Sequence, residues 1–159
     1  MFQPDQYMSS LIHQLKAAFQ QRLIYVGLQG SYLRGEATEH SDIGVMVVIH
    51  NLTADDLTTY RNVISALPDS EKSCGFICGL EELQHWNPLE ICHLLHTTKT
   101  YYGQLEAIIP SFTRQHVCDY VKLSVGNLYH ELCHRHVHAS AQESRDALPV
   151  TCKQVFFIL

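Results

Sequence analysis

The sequence predicts an α+β protein, with a small mixed β-sheet, helices packed on it, and a C-terminal helical segment. Two short apolar runs rich in β-branched residues, 23–28 and 45–49, are bounded by turn-forming residues and are typical of buried strands. Helical periodicity precedes and follows these runs, and the connections are short. After Pro110 the pattern changes to one long helical repeat. We therefore expect a sheet-containing domain over residues 1–103 and a helical segment over residues 104–159.

The first 103 residues alternate between helical and extended patterns. Thr53 and Asp56 form a capping-box pattern at a helix start, and Pro68 ends that helix. In chain order, the predicted elements are a helix over 5–21, strands over 23–28 and 42–49, a helix over about 53–67, a strand over 73–78, a short helix over 80–86, a helix beginning near residue 87, and a brief strand at 101–102.

The helical segment divides into two apolar stretches with a polar stretch between them. We expect one long helix over residues 112–138, a loop over 139–146 and a further helix from residue 150. The sequence ends on four hydrophobic residues, 156–159. That ending predicts either that the last helix packs on the long one or that the natural chain continues further.

Composition narrows the function classes. Of the 159 residues, 46% are hydrophobic and 17% charged, as in a globular protein, and the net charge of −5 argues against non-specific nucleic-acid binding. The sequence lacks a membrane-length apolar run and a secretory signal pattern. We therefore expect a cytoplasmic protein whose six cysteines are free thiols, mostly buried as small hydrophobes.

The segment between the first two strands carries the candidate chemistry. Glycine at position 30 lets the backbone approach a phosphate, and Ser31 can cap the following turn and donate to a phosphate oxygen. Arg34 is either a phosphate contact or a solvated surface arginine. Ser41 caps or braces the loop, and Asp42 begins the second strand, so the segment predicts a nucleotide-binding turn.

This arrangement resembles the nucleotidyltransferase superfamily related to DNA polymerase β. The family signature is Gly-Ser, a short helical turn with a glycine, and Ser-Asp-x-Asp opening the next strand. Gly30, Ser31, Ser41 and Asp42 match it, as does the glycine at position 35, whereas Gly44 stands where the family has its second aspartate. The resemblance is close over residues 24–49 and looser to about residue 103.

The resemblance implies transfer of NMP from an NTP to a small-molecule or protein acceptor, with Mg²⁺ or Mn²⁺. Asp42 would be the catalytic and metal-binding carboxylate, and Gly30, Ser31, Arg34 and Ser41 would contact the nucleotide. The helical segment would shape the acceptor site or a homodimer interface.

Because Gly44 and a third strand without acids leave the carboxylate set incomplete, activity is expected to be impaired. The alternative is an inactive nucleotide-binding or protein-interaction module of the same fold.

A second candidate site is the histidine-rich stretch of the long helix. His130, His134 and His138 are spaced by four residues and share a helix face, so two of them could bind Zn²⁺. A polar or packed helix face is the favoured interpretation, with a metal-binding helical module as the third function class.

Overall fold

The computed structural model describes residues 3–158, except for the side chains of Leu89, Phe156 and Phe157. Among these residues, no helix combines the length and apolar character needed to cross a membrane. The prediction for the hydrophobic ending, residues 156–159, falls partly outside the described residues.

The described chain divides into two compact units. The first runs to Trp86 and resumes over Leu94–Pro110, and the second comprises Asn87–His93 and the chain from Ser111 onward. The predicted division into a domain over residues 1–103 and a helical segment over residues 104–159 stays a prediction.

Helices and strands follow one another over the first 102 residues, as predicted, with two helices in succession before the last strand. The first helix begins with a proline in its first turn, and the helix over Ala54–Ser65 begins with the predicted capping box, in which the side chains of Thr53 and Asp56 each bond the other's backbone N–H. The elements are α1 (Pro4–Phe19), β1 (Leu23–Gln29), α2 (Ser31–Arg34), β2 (Ile43–Ile49), α3 (Ala54–Ser65), β3 (Ser73–Gly79), α4 (Leu80–Gln84), α5 (Pro88–Thr97) and β4 (Thr98–Tyr102).

The four strands form one mixed sheet in the order β3-β2-β1-β4. β1 pairs antiparallel with β2 and β4, whereas β2 and β3 run parallel. The parallel pair is joined through α3, because parallel strands need a crossover connection. The predicted α+β class with a mixed sheet and packed helices is confirmed.

One face of this sheet packs against α1 and holds the main core. Alternate residues of β2, from Ile43 to Ile49, point into this core together with Val26 and Leu28 of β1. The helix contributes side chains three or four residues apart along one stripe, namely Tyr7, Met8, Leu11, Leu15 and Phe19.

The opposite face carries the intervening residues of the same strands. Tyr25 is fully buried there, and its hydroxyl lies 2.9 Å from the hydroxyl of Thr100 on β4. β4 is three residues longer than the predicted strand at 101–102, because its polar residues Thr98 to Thr100 pair with β1. β2 begins at Ile43 rather than Asp42, so the predicted strand starts one residue too early.

The second unit contains residues 88–93 of α5 and the helices α6 (Arg114–His138), α7 (Ala141–Asp146) and α8 (Leu148–Ile158). The long helix is confirmed, and α8 contacts it. The loop predicted over residues 139–146 is wrong, because a capping box starts α7: Ser140 N donates to Glu143 Oε2 at 2.8 Å, and Glu143 N donates to Ser140 Oγ at 3.2 Å.

The expectation that the cysteines are mostly buried is wrong. None of the six forms a disulfide, but only Cys78 is buried, while Cys74, Cys118, Cys133 and Cys152 are exposed. Three of these exposed residues lie on α6 and α8, and α6 contains no buried residue. Cys118 and Cys133 are therefore surface thiols rather than packed ones.

Candidate functional site

The turn between β1 and β2 begins at Gly30. Its φ of 80° and ψ of −154° are accessible almost only to glycine. Apart from Gly30 itself and its two chain neighbours, no heavy atom lies within 4 Å of the position that a Cβ would take, so there is open space beside the glycine. A ligand can therefore approach the main chain at this turn.

Ser31 is the first residue of α2, and Gly30 occupies the N-cap position. The predicted capping role of the Ser31 side chain is thus wrong, because a cap must precede the helix. The Ser31 hydroxyl forms no hydrogen bond with any described residue. It remains available to donate to a ligand.

Asp42 stands on the opposite side of the same loop, directly before β2. The ladder between β1 and β2 closes with the pair Gln29–Gly44, two residues from Ser31 on one strand and two from Asp42 on the other. The Asp42 carboxylate is exposed and forms no ion pair or hydrogen bond within the described chain. An unpaired hydroxyl and an unpaired carboxylate thus flank one end of the sheet.

The other two predicted contacts have partners inside the loop. Arg34 Nε lies 2.7 Å from Glu36 Oε2, so a phosphate would compete with this carboxylate for the guanidinium. Ser41 Oγ accepts the N–H of Thr38 at 2.8 Å, and Ser41 N donates to Thr38 O at 3.1 Å. Ser41 therefore braces the loop that presents Asp42.

Gly44, which the resemblance aligns with a second aspartate, lies between two neutral neighbours. Gly44 is paired with Gln29 on β1 and with Cys74 on β3. The Gln29 side chain is held by β4, because its Nε2 donates to Thr98 Oγ1 at 2.8 Å. The contact between Gln29 and Thr98 could not be predicted from the sequence, since it depends on strand register and on the true length of β4.

The acids that flank β3 lie at opposite ends of the sheet. Because β2 and β3 are parallel, with Ile43 beside Ser73, residues that precede β3 lie at the same end as Asp42. Glu81 and Glu82 follow β3 at the far end, which excludes them as a third acid. At the near end, Asp69 is 3.9 Å from Lys72, and Glu71 is exposed.

The predicted site residues provide a single carboxylate ligand for a divalent ion. Asp42 supplies a charged oxygen, and Mg²⁺ commonly binds through one or two carboxylates plus substrate phosphates. No group of three or more His, Cys, Asp or Glu residues in the described part of the chain is arranged to hold a metal. His130, His134 and His138 do follow one helix face, with ring centroids 6.3 and 4.6 Å apart between successive rings.

Solved structures with the same fold include a spectinomycin adenyltransferase, AAD(9), from Enterococcus faecialis, solved with ATP and spectinomycin. It matches at 16% identity with a TM-score of 0.53, over 78% of this chain and 66% of that chain. A toxin–antitoxin structure with AMP-PNP matches at 16% identity and TM-score 0.45, over 82% and 93% of the two chains. The toxin–antitoxin MntA-HepT matches at 13% identity with a TM-score of 0.43, over 84% of this chain and 93% of that chain.

No family model matches the sequence, and no curated protein matches it. The adenyltransferase comparison, at low identity, concerns the fold. It confirms that the resemblance read from residues 24–49 extends to the three-dimensional arrangement of strands and helices. The chain has a nucleotidyltransferase fold.

Proposed function

We propose that this chain binds a nucleoside triphosphate at the Gly30–Ser31 turn and transfers its NMP group to a hydroxyl or amine of a small molecule or protein. The supporting observation is the pair of unpaired groups, the Ser31 hydroxyl and the Asp42 carboxylate, at the closed end of the β1–β2 ladder. The open space at Gly30 gives the triphosphate access to the backbone.

In this proposal each residue has a separate task. Ser31 donates to a phosphate oxygen, Arg34 exchanges Glu36 for a phosphate, and Ser41 holds the loop in shape. Asp42 ligates a divalent ion, which when bound neutralises charge on the triphosphate. The acceptor oxygen or nitrogen forms a bond to the α-phosphorus and loses its proton to water. The bond from that phosphorus to the bridging oxygen breaks, and pyrophosphate leaves with the electron pair.

Transfer by this chain would be slow. Gly44 provides no carboxylate, and β3 contains no acid to complete the set. These same observations favour a second candidate, an inactive module that binds a nucleotide or a partner without turnover. In either case we propose a cytoplasmic location, where NTP and Mg²⁺ are available, and a homodimer contact through the helical segment.

Thermal unfolding with ATP, with and without Mg²⁺, tests nucleotide binding, because a ligand of the native state raises the melting temperature. We expect Ser31→Ala to reduce the shift under both conditions, and Asp42→Asn to remove only the part that depends on Mg²⁺. Matched controls are Ser10→Ala and Asp55→Asn, whose side chains are exposed on other helices. Absence of any shift at millimolar ATP would contradict the proposal.

Turnover separates the two candidates. Release of pyrophosphate from ATP, or transfer of labelled AMP to protein or to added small acceptors, supports an enzyme. If ATP stabilises the chain through Ser31 and Asp42 but no label is transferred under any condition, the inactive binding module is the correct description.

A further inference from the structure

The two edges of the sheet are protected to different degrees. At the β4 edge, Lys99 is exposed, its Nζ lies 3.8 Å from Asp5 Oδ1, and the hydroxyl of Tyr101 also bonds Asp5. Exposed lysines are a common device that prevents an edge strand from pairing with another chain. β3, at the other edge, consists of Ser-Cys-Gly-Phe-Ile-Cys-Gly and contains no charge and no proline.

The beginning of β3 is also open to solvent. Cys74 and Gly75 are exposed, whereas Cys78 and Gly79 at its end are buried. In an edge strand, backbone N–H and C=O groups that point away from the sheet lack ladder partners. β3 therefore presents an unprotected stretch of backbone over its first residues.

A groove with a volume of about 290 Å³ lies between α3 and the exposed first residues of β3. Its apolar lining comes from Val45, Leu57, Tyr60, Ile64 and Ile77. Leu57, on the rim, is 44% exposed although it is a large hydrophobic residue. The volume is at the small end of known ligand pockets and is suited to one aliphatic side chain with its neighbours.

One cation, Arg61, lines the groove. Arg61 is exposed, and its guanidinium makes no ion pair or side-chain hydrogen bond with any described residue. A free guanidinium beside an apolar groove favours a carboxylate, because a charge-assisted hydrogen bond can form there.

We propose that the outer edge of β3 binds an extended peptide segment of a partner protein as a fifth strand. Main-chain hydrogen bonds to β3 would hold the peptide, an aliphatic side chain would enter the groove, and an acidic side chain would reach Arg61. This is strand addition, in which the backbone supplies affinity and side-chain pockets supply specificity.

Charge favours such a peptide over a second copy of the chain. The sequence of the first unit contains six Lys and Arg residues and eleven Asp and Glu residues. Pairing two copies through β3 would bring two acidic bodies together. A peptide with one carboxylate adds a single charge, which Arg61 opposes at short range while salt screens the more distant acids.

The probe is a labelled heptapeptide of alternating Val and Thr with one central Glu, N-acetylated and C-terminally amidated so that Glu is its one carboxylate, compared with the same peptide carrying Lys. Fluorescence anisotropy should show the Glu peptide binding roughly tenfold more tightly, a difference of about 1.4 kcal/mol. Arg61→Glu should reverse this preference, and Leu57→Asp should weaken both peptides. The matched charge reversal Arg145→Glu, outside the groove, should change neither.

Amide hydrogen exchange supplies the structural readout, and thermal unfolding verifies that each variant is folded. Binding of the Glu peptide should slow exchange at residues 74–77. The proposal is overturned if neither peptide binds, if Arg61→Glu leaves the preference unchanged, or if the protected amides lie elsewhere. It is also overturned if the chain without peptide is a dimer in sedimentation and already protects β3.

Discussion

Arg22 and Asp56 form a two-point ion pair, in which Arg22 Nη1 lies 2.9 Å from Asp56 Oδ2 and Nη2 lies 2.5 Å from Oδ1. The pair joins the turn before β1 to the first turn of α3. Asp56 Oδ2 also accepts the N–H of Thr53 at 2.9 Å, which completes the capping box. The hydrogen bonds from Arg22 hold the pKa of Asp56 well below its usual range.

Removing this carboxylate should destabilise the first unit. Asp56→Asn loses the ion pair with Arg22 and weakens the cap of α3, so we expect a clear fall in the free energy of unfolding measured in urea. Asp55→Asn is the matched control, because Asp55 is exposed in the same helical turn. Equal effects of the two substitutions would show that the ion pair is dispensable.

The same pair predicts a specific dependence on pH. Because the pKa of Asp56 is lowered in the folded state, its contribution to stability is complete above the ordinary aspartate pKa of 3.8 and is lost as the pH falls below it. The stability difference between wild type and Asp56→Asn should be constant from pH 7 to 5 and shrink toward pH 3. Urea titrations at each pH measure it, and a difference that grows on acidification would contradict the assignment.

Gly75 should not tolerate a side chain. Its φ is 146°, and a Cβ there would come 1.9 Å from the carbonyl oxygen of Val45 on β2. We expect Gly75→Ala to cost about 2–4 kcal/mol by disturbing the β2–β3 pairing. Gly126→Ala, in open space on α6, should instead stabilise by about 0.5–1 kcal/mol, and chemical denaturation of both variants tests the contrast.

The thiols of β3 should differ sharply in reactivity. Burial raises the pKa of the Cys78 thiol to about 12, and the charge of Glu82 adds to this shift. At pH 8 the reactive thiolate of Cys78 is therefore scarce, whereas Cys74, four residues away, is exposed. Alkylation followed by mass spectrometry should label Cys74 rapidly and Cys78 only after unfolding. Equal labelling rates in the native protein would disprove the burial of Cys78.

Gly44→Asp should strengthen metal binding at the proposed nucleotide site. A Cβ at this position would lie 3.2 Å from the backbone oxygen of Gln29, so a shift of a few tenths of an ångström accommodates the side chain. A second carboxylate near Asp42 should improve the affinity for Mn²⁺ roughly tenfold, since charged oxygen ligands set the affinity of such sites. Calorimetric titration measures it.

The control for this variant is Gly44→Ala, which introduces the same Cβ without the charge. Transfer of AMP should recover only partly in Gly44→Asp, because β3 still lacks an acid. If Gly44→Ala and Gly44→Asp bind Mn²⁺ alike, residue 44 is not a metal position and the placement of the motif is wrong.

Local patterns in the sequence were sufficient for most elements of the fold. β-branched runs located β1 and β2 to within one residue, and the Thr53–Asp56 pattern located the start of α3. A similar pattern at Ser140 and Glu143 starts α7, although the polar composition around it is equally typical of a loop. β4 was too short in the prediction since threonine and lysine lack the apolar alternation of a strand.

The candidate site could be predicted only in part from the sequence. The turn at Gly30 and the position of Asp42 beside the start of β2 could be predicted, because their signals are local, whereas their role in nucleotide binding stays a prediction. The bond between Gln29 and Thr98 joins residues that are distant in sequence, and it depends on which strands are neighbours. The exposure of the cysteines on α6 was equally hidden, because that helix has no single apolar face that marks an interior.

The central position of β1 has a consequence during synthesis. Its partner β2 is complete at Ile49, but its other partner, β4, begins only at Thr98. At roughly 5–20 residues per second, the ribosome needs on the order of 2–10 seconds to deliver that segment. Throughout this interval the middle strand of the future sheet has an unpaired edge, so a nascent chain that pauses before residue 98 is most exposed to mispairing and to chaperones.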